Sequence, residues 1–222
     1  MQEIEQVTPK DEKQIRAEIK QAHTEAVFAI IPKVGLIALG GVDFDDYIAY
    51  SNAINSPSDS PTEAKIQLIF DGLIYPTEAT KLAQLRRYLR AKQGKVSLLQ
   101  DAVELLSKGP FPVTELQLTE EKRSELEAKY EFGFDGIRVG DTNVIIAVKD
   151  EASPLVRVVL DESQRERREI GSKVYAAIMA SIVEPEHDAA DVLLQKHPGL
   201  ISNLTTKLFE LIDDGSVVLA KN

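Results

Sequence analysis

A block of this chain occurs twice, and the repetition narrows the available folds more than any other property. Ile69-Phe-Asp-Gly-Leu-Ile-Tyr-Pro76 aligns without a gap on Ile178-Met-Ala-Ser-Ile-Val-Glu-Pro185, so that Ile69, Leu73, Ile74 and Pro76 meet Ile178, Ile182, Val183 and Pro185. Leu85 then meets Leu194, and after a three-residue contraction the run Leu98–Gly109 meets Leu204–Gly215. Upstream, Asp11-Glu-Lys13 and Glu18 meet Glu120-Glu-Lys122 and Glu127. Proline and glycine stand at the ends of the matched block, where they punctuate structure instead of filling it. The 222 residues therefore divide into two modules, 1–110 and 111–222, each of a size that can bury a core of its own.

Hydrophobic spacing predicts what each module contains. In the first, Ile15, Ile19 and Ala22 recur at helical intervals behind Pro9. Ala26–Ile31 and Val34–Leu39 are short β-branched and aliphatic runs separated by Pro32-Lys33, the pattern of a hairpin. Asp43 is placed to cap a helix carrying Phe44, Tyr47 and Ile48. A helix from Thr62 is expected to run to Tyr75 and stop at Pro76; Thr77 is expected to cap the next, ending near Gly94, and a last helix holds Val96, Leu99, Val103 and Leu106. In the second module Thr119 caps a charged helix, Gly136–Val139, Val144–Val148 and Leu155–Leu160 read as strands, and Asp161 or Ser163 opens a helix expected to continue to Val183. Helices at about Glu186–Lys196 and Leu200–Asp213 close it. Gly109-Pro110-Phe111-Pro112 reads as a stiff linker. The expected fold is α+β, a tandem repeat of a small module, each a short β-hairpin packed against a mainly helical bundle.

Composition limits the partners. Thirty-six acidic against twenty-six basic residues give a net charge of −10, which opposes phosphate backbones and anionic lipid heads, so neither nucleic acid nor membrane is expected as a partner. The basic runs Arg86–Lys92 and Arg165–Arg168 lie in helical patterns and read as solvated faces or ion-pair partners. No cysteine is present, which removes thiolate metal sites and cysteine nucleophiles and fits a cytoplasmic protein. The acidic N-terminus does not read as a secretory signal, and no apolar run is long enough to cross a bilayer.

No residue pattern carries catalysis. His23, His187 and His197 share no metal or triad spacing; His187 reads as an exposed first-turn residue and His197 as a helix-end cation. Asp43-Phe-Asp-Asp46 lacks the spacing of a calcium loop and reads as a helix N-terminus, and Gly35–Gly41 lacks the lysine of a phosphate loop. Catalytic, cofactor and metal residues are therefore expected to be none. What remains is surface: Tyr130-Glu-Phe132-Gly-Phe134 alternates three aromatics in one short junction, readable as inter-module packing or as a partner-binding strip, and Phe44 with Tyr47 are further partner-binding candidates.

The strand pair leading into an acidic-aromatic helix, the helix junction at Tyr75-Pro76 and the turn His197-Pro198-Gly199-Leu200 resemble small phage proteins of the tail-assembly-chaperone type. Glu184-Pro185 lacks the aromatic of that junction, Leu89-Arg90-Ala91 replaces the second turn in the first module, and Gly40-Gly41-Val42 stands where an arginine-proline step is the rule in that type. The resemblance implies a non-enzymatic protein of the host cytoplasm that keeps an aggregation-prone tail or tape-measure partner soluble until assembly. The alternative is a structural subunit of the virion, tail or baseplate.

Overall fold

The two aliphatic runs around Pro32-Lys33 form the expected hairpin, β1 (Val27–Ile31) with β2 (Gly35–Leu39). Its turn closes through Val34 N donating to Ile31 O at 3.1 Å, with Lys33 and Gly35 both at positive φ. The computed structural model describes residues 9–56, 59–148 and 170–213. Over these the chain is α+β, with nine helices and two small antiparallel sheets.

The first sheet is larger than the predicted hairpin. Helix α3 (Pro61–Asp71) stops short of Tyr75; Gly72 caps it, donating to Leu68 O at 3.0 Å, and Leu73–Tyr75 becomes β3 on the far side of β2. The physical reason is local. A residue preceding proline is driven out of the helical region, and Leu-Ile-Tyr fits a pleated, half-buried surface. The other helices of this half are α1 (Pro9–Ala22), α2 (Phe44–Asn55), α4 (Ala79–Ala91) and α5 (Gln93–Leu106). Asp43 caps α2 as expected, its Oδ1 accepting from Asp46 N at 2.9 Å, whereas Glu78 and not Thr77 is the N-cap of α4.

The second half opens with β4 (Val113–Glu115), a strand the sequence did not announce, directly after the proline linker. Then follow α6 (Glu120–Lys129), β5 (Phe134–Val139), β6 (Thr142–Ala147), α7 (Ile170–Ser181), β7 (Ile182–Glu184), α8 (His187–Lys196) and α9 (Leu200–Asp213). Thr119 Oγ1 caps α6, accepting from Lys122 N at 3.3 Å. The β5–β6 turn has two residues, and Gly140, at φ 58°, occupies the first position, where a turn matched to strand twist requires the left-handed region. The predicted strand Leu155–Leu160 and the helix start at Asp161 or Ser163 lie outside the described residues. The helix expected to reach Val183 ends instead at Ser181, and β7 precedes Pro185 as β3 precedes Pro76. Both X-Pro bonds, Tyr75–Pro76 and Glu184–Pro185, are cis.

Sheet order is β1-β2-β3 in one half and β4-β5-β6-β7 in the other. In the first, Ala38 pairs with Tyr75 and Leu39 with Leu73, with a register shift between Ala38 and Leu39. In the second, Ile145 pairs with Glu184 and Ile146 with Ile182, with the shift between Ile145 and Ile146. Helix α2 packs on both α3 and α7, so the halves meet along it. The apolar interior is one continuous cluster, running from Ile37, Leu39, Ile69 and Leu89 through to Ile146, Ile178, Leu194 and Leu204, all essentially inaccessible. At roughly 1.5–3 kcal/mol for each fully buried aliphatic side chain, this shared interior is the dominant stabilising contribution.

Candidate interaction surface

The aromatic residues singled out from sequence fall on two parts of the fold. Tyr130 is the C-cap of α6, its amide donating to Leu126 O at 2.8 Å, with Lys129 Nζ 5.4 Å from its ring centre. Phe132 is 61% exposed, and Phe134 opens β5 opposite Ala147. Phe44 and Tyr47 instead stand on α2 at the junction of the two halves. Helix α9 passes both groups: Gly133 lies near Leu211, and Tyr47 shares a groove wall with Ser202. Nine residues of helix separate Ser202 from Leu211, about 14 Å along the axis.

The junction is built from polar and aromatic contacts over the shared apolar interior. The Phe44 and Tyr175 rings meet edge to face with centroids 4.8 Å apart, an arrangement worth about 0.5–1.5 kcal/mol beyond area burial. Tyr175 Oη donates to Asp191 Oδ1, and Gly171 N donates to Asn52 Oδ1 at 2.7 Å. Burial pushes the Tyr47 hydroxyl up to about 12, and it raises Tyr50 and Tyr175 as well, so all three remain neutral donors at physiological pH. Gly199 N donates to Ser107 O at 3.1 Å, which ties the turn before α9 to the end of α5. Beside this junction a groove of about 340 Å³ is lined by Tyr47, Ser51, Asn55, Val174, Ile201 and Phe209.

His197 departs from its expected role. It is the C-cap of α8 and is 8% exposed, with the Phe111 ring edge-on at 6.3 Å between centroids. Burial, followed by the neighbouring Lys196, holds its imidazole below the ordinary value, so at neutral pH it is a packed neutral ring and not a helix-end cation. His187 is exposed in the first turn of α8. The basic run on α4 engages α3: Arg90 clasps Glu63 through two bonds of 2.7 and 2.9 Å, and Arg86 lies 4.5 Å over the Phe70 ring while donating to Gln67 Oε1 at 3.0 Å. Arg165–Arg168 lies outside the described residues. Among the described residues no group of three or more histidine, aspartate or glutamate side chains is placed to hold a metal ion, and no helix is long and apolar enough to cross a membrane.

One surface escaped the sequence reading. Strand β1 is the edge of its sheet, and its Val27 and Ile30 are 43% and 57% exposed. Ile30 borders a groove of about 720 Å³ whose walls include Ile15, Leu36, Tyr75, Lys33 and Lys81. Periodicity identifies such a run as a strand without saying which of its sides another strand will cover. In comparisons with family models, curated proteins and solved structures, nothing matches the chain.

Proposed function

We propose that the chain is a doubled α+β module that acts by holding another protein, in the manner of the phage tail-assembly chaperones it resembles, and not by catalysis. The observation that carries the doubling is the repeated wiring. Residues 9–106 and 120–213 both run helix, strand, strand, then helix, strand, helix, helix, apart from α2, which has no counterpart among the described residues of the second half. Each third strand joins its sheet through a register shift at the same place relative to its hairpin. The C-caps of α4 and α8, Lys92 and His197, adopt φ/ψ of −131°/65° and −133°/67°. Leu89 and Leu194, each three residues before its cap, are both fully buried.

Two like modules held over a common interior present two similar faces in fixed relation, which suits gripping an extended or repeating partner by effective concentration. Exposed apolar side chains, Phe111 at 53%, Phe132 at 61%, Leu105 at 66% and Val192 at 65%, supply contact area. The net charge of −10 favours dispersed complexes through mutual repulsion.

The test is co-expression of this chain with phage tail and tape-measure proteins, with the soluble fraction of each measured in its presence and absence. A partner that stays soluble only with the chain, and finished particles that lack it by mass spectrometry, support the reading. Equal solubility with and without the chain refutes it, and stoichiometric recovery in finished particles assigns it to the virion structure.

A further inference from the structure

We infer that the outer edge of β1 is a strand-accepting site for an extended segment of a partner protein in which apolar and acidic residues alternate. This rests on the partner-holding reading for the existence of a partner, while the site itself follows from the sheet. In the second sheet the corresponding edge is occupied: β4 pairs with β5 through Val113–Val139, Thr114–Arg138 and Glu115–Ile137. Among the described residues β1 pairs with β2 alone. Natural edge strands blunt themselves with charges, proline or bulges, and Val27-Phe-Ala-Ile-Ile31 carries none of these.

The geometry of the edge can be read from the hairpin. Because Val34 N donates to Ile31 O, Ile31 and Gly35 are the inward-facing pair at the turn, so strand alternation turns the backbone N–H and C=O of Phe28 and Ile30 outward. The residue one step from the turn differs tellingly between the sheets. In the second it is Arg138, whose guanidinium donates to Gln117 Oε1 at 2.7 Å and to Gly140 O at 2.9 Å, with Gln117 supplied by the segment that continues from β4. In the first it is Ile30, 57% exposed beside the groove of Ile15, Leu36 and Tyr75, which is fit to receive an apolar side chain.

Charge selects the remaining residues of the occupant. Arg16 lies 5.0 Å and Lys20 6.0 Å from the Phe28 ring centre, Lys81 lies 5.7 Å from that of Tyr75, and Lys33 lines the groove, with Glu12 the one acidic residue lining it among the described residues. A basic rim on a chain of net charge −10 is complementary to acidic residues on the added strand, and main-chain bonds with alternate side-chain pockets are how such strands are recognised.

The experiment uses the full chain with two capped hexapeptide probes, (Val-Glu)3 and (Val-Lys)3, following the amide resonances and hydrogen exchange of Phe28 and Ile30. The expected result is saturable protection of both amides by the acidic peptide, at least about tenfold tighter than by the basic one. Binding should be lost in Ile30→Pro, which removes the outward donor, and in Ile30→Glu, which keeps the backbone but repels the acidic strand. No binding by the acidic peptide overturns the site, as does equal binding of both probes or binding that survives Ile30→Glu. Protection of β1 by a concentration-dependent dimer gives the edge to a second copy, and peptide binding that emerges only after deletion of residues 1–8 gives it to the chain's own N-terminus; either overturns the proposed occupant. If Ile30→Glu abolishes peptide binding yet still keeps a co-expressed tail protein soluble, the holding reading survives without this site. If the peptide binds and no tail protein is held soluble, the site stands and the holding reading falls.

Discussion

Replacing Ser107 with alanine should destabilise the protein far more than the same change at Ser181, although both serines are buried and both hydroxyls donate to the carbonyl four residues earlier. The difference is a second bond. Ser107 Oγ also accepts from the buried amide of Val42 at 3.0 Å, fixing the segment after β2 to the end of α5. In Ser107→Ala that amide loses its acceptor, and a buried orphan donor costs about 1–3 kcal/mol. Among the described residues Ser181 Oγ returns only to Ala177 O, so Ser181→Ala should cost less than about 1 kcal/mol. For a chain of this size a kcal/mol corresponds to about 2–4 °C, giving a fall of roughly 2–12 °C for Ser107→Ala. Thermal melts followed by circular dichroism, with urea midpoints as a second measure, decide the matter. If Ser107→Ala melts no lower than Ser181→Ala, the Val42 bond does not carry the stability assigned to it, and the account of how the first sheet is fastened to α5 is wrong.

Gly109→Ala should lose about 1–3 kcal/mol, because the position sits at φ 81° and a β-carbon there would collide with the His197 ring; Gly94→Ala, in α5 with open space around it, should instead gain about 0.5–1 kcal/mol. Chemical denaturation of the two variants measures both signs. Ile178→Ala, which truncates a fully buried side chain of the shared interior, should cost about 2–5 kcal/mol, read from the urea midpoint. Because burial lowers the folded-state value of His197 below the ordinary 6.5, the unfolded chain takes up this proton first. The stability it contributes is whole above about pH 6.5 and is lost as pH falls through the folded value. Urea midpoints above and below that window should therefore converge in His197→Gln relative to the parent, and an unchanged pH dependence would contradict the buried, neutral imidazole.

Much of the fold was legible because the signals are local. Pro32-Lys33 between aliphatic runs specified the first hairpin, Asp43 and Thr119 specified helix starts through their own hydrogen bonds, and Pro76 and Pro185 marked real breaks. Leu73–Tyr75 and Ile182-Val183 extend the helical pattern ahead of them because a short apolar run carries no periodicity of its own; pairing with β2 and β6 makes Leu73–Tyr75 and Ile182–Glu184 strands. The surface residues were harder. Phe44 and Tyr47 announce an aromatic face, but whether that face meets solvent or α7 depends on a neighbour more than a hundred residues away.

Most helices, the two hairpins and the proline junctions thus followed from the order of residues alone, because capping, proline restriction and hydrophobic spacing act over a few positions, whereas the short strands β3, β4 and β7 did not. The joining of both halves over one interior, the neutral packing of His197 beside Phe111, and the contrast between the occupied edge at β5 and the edge at β1, unpaired among the described residues, required the folded chain. Those features depend on which distant surfaces come together, and burial and strand pairing between distant segments leave no mark in the local pattern of either.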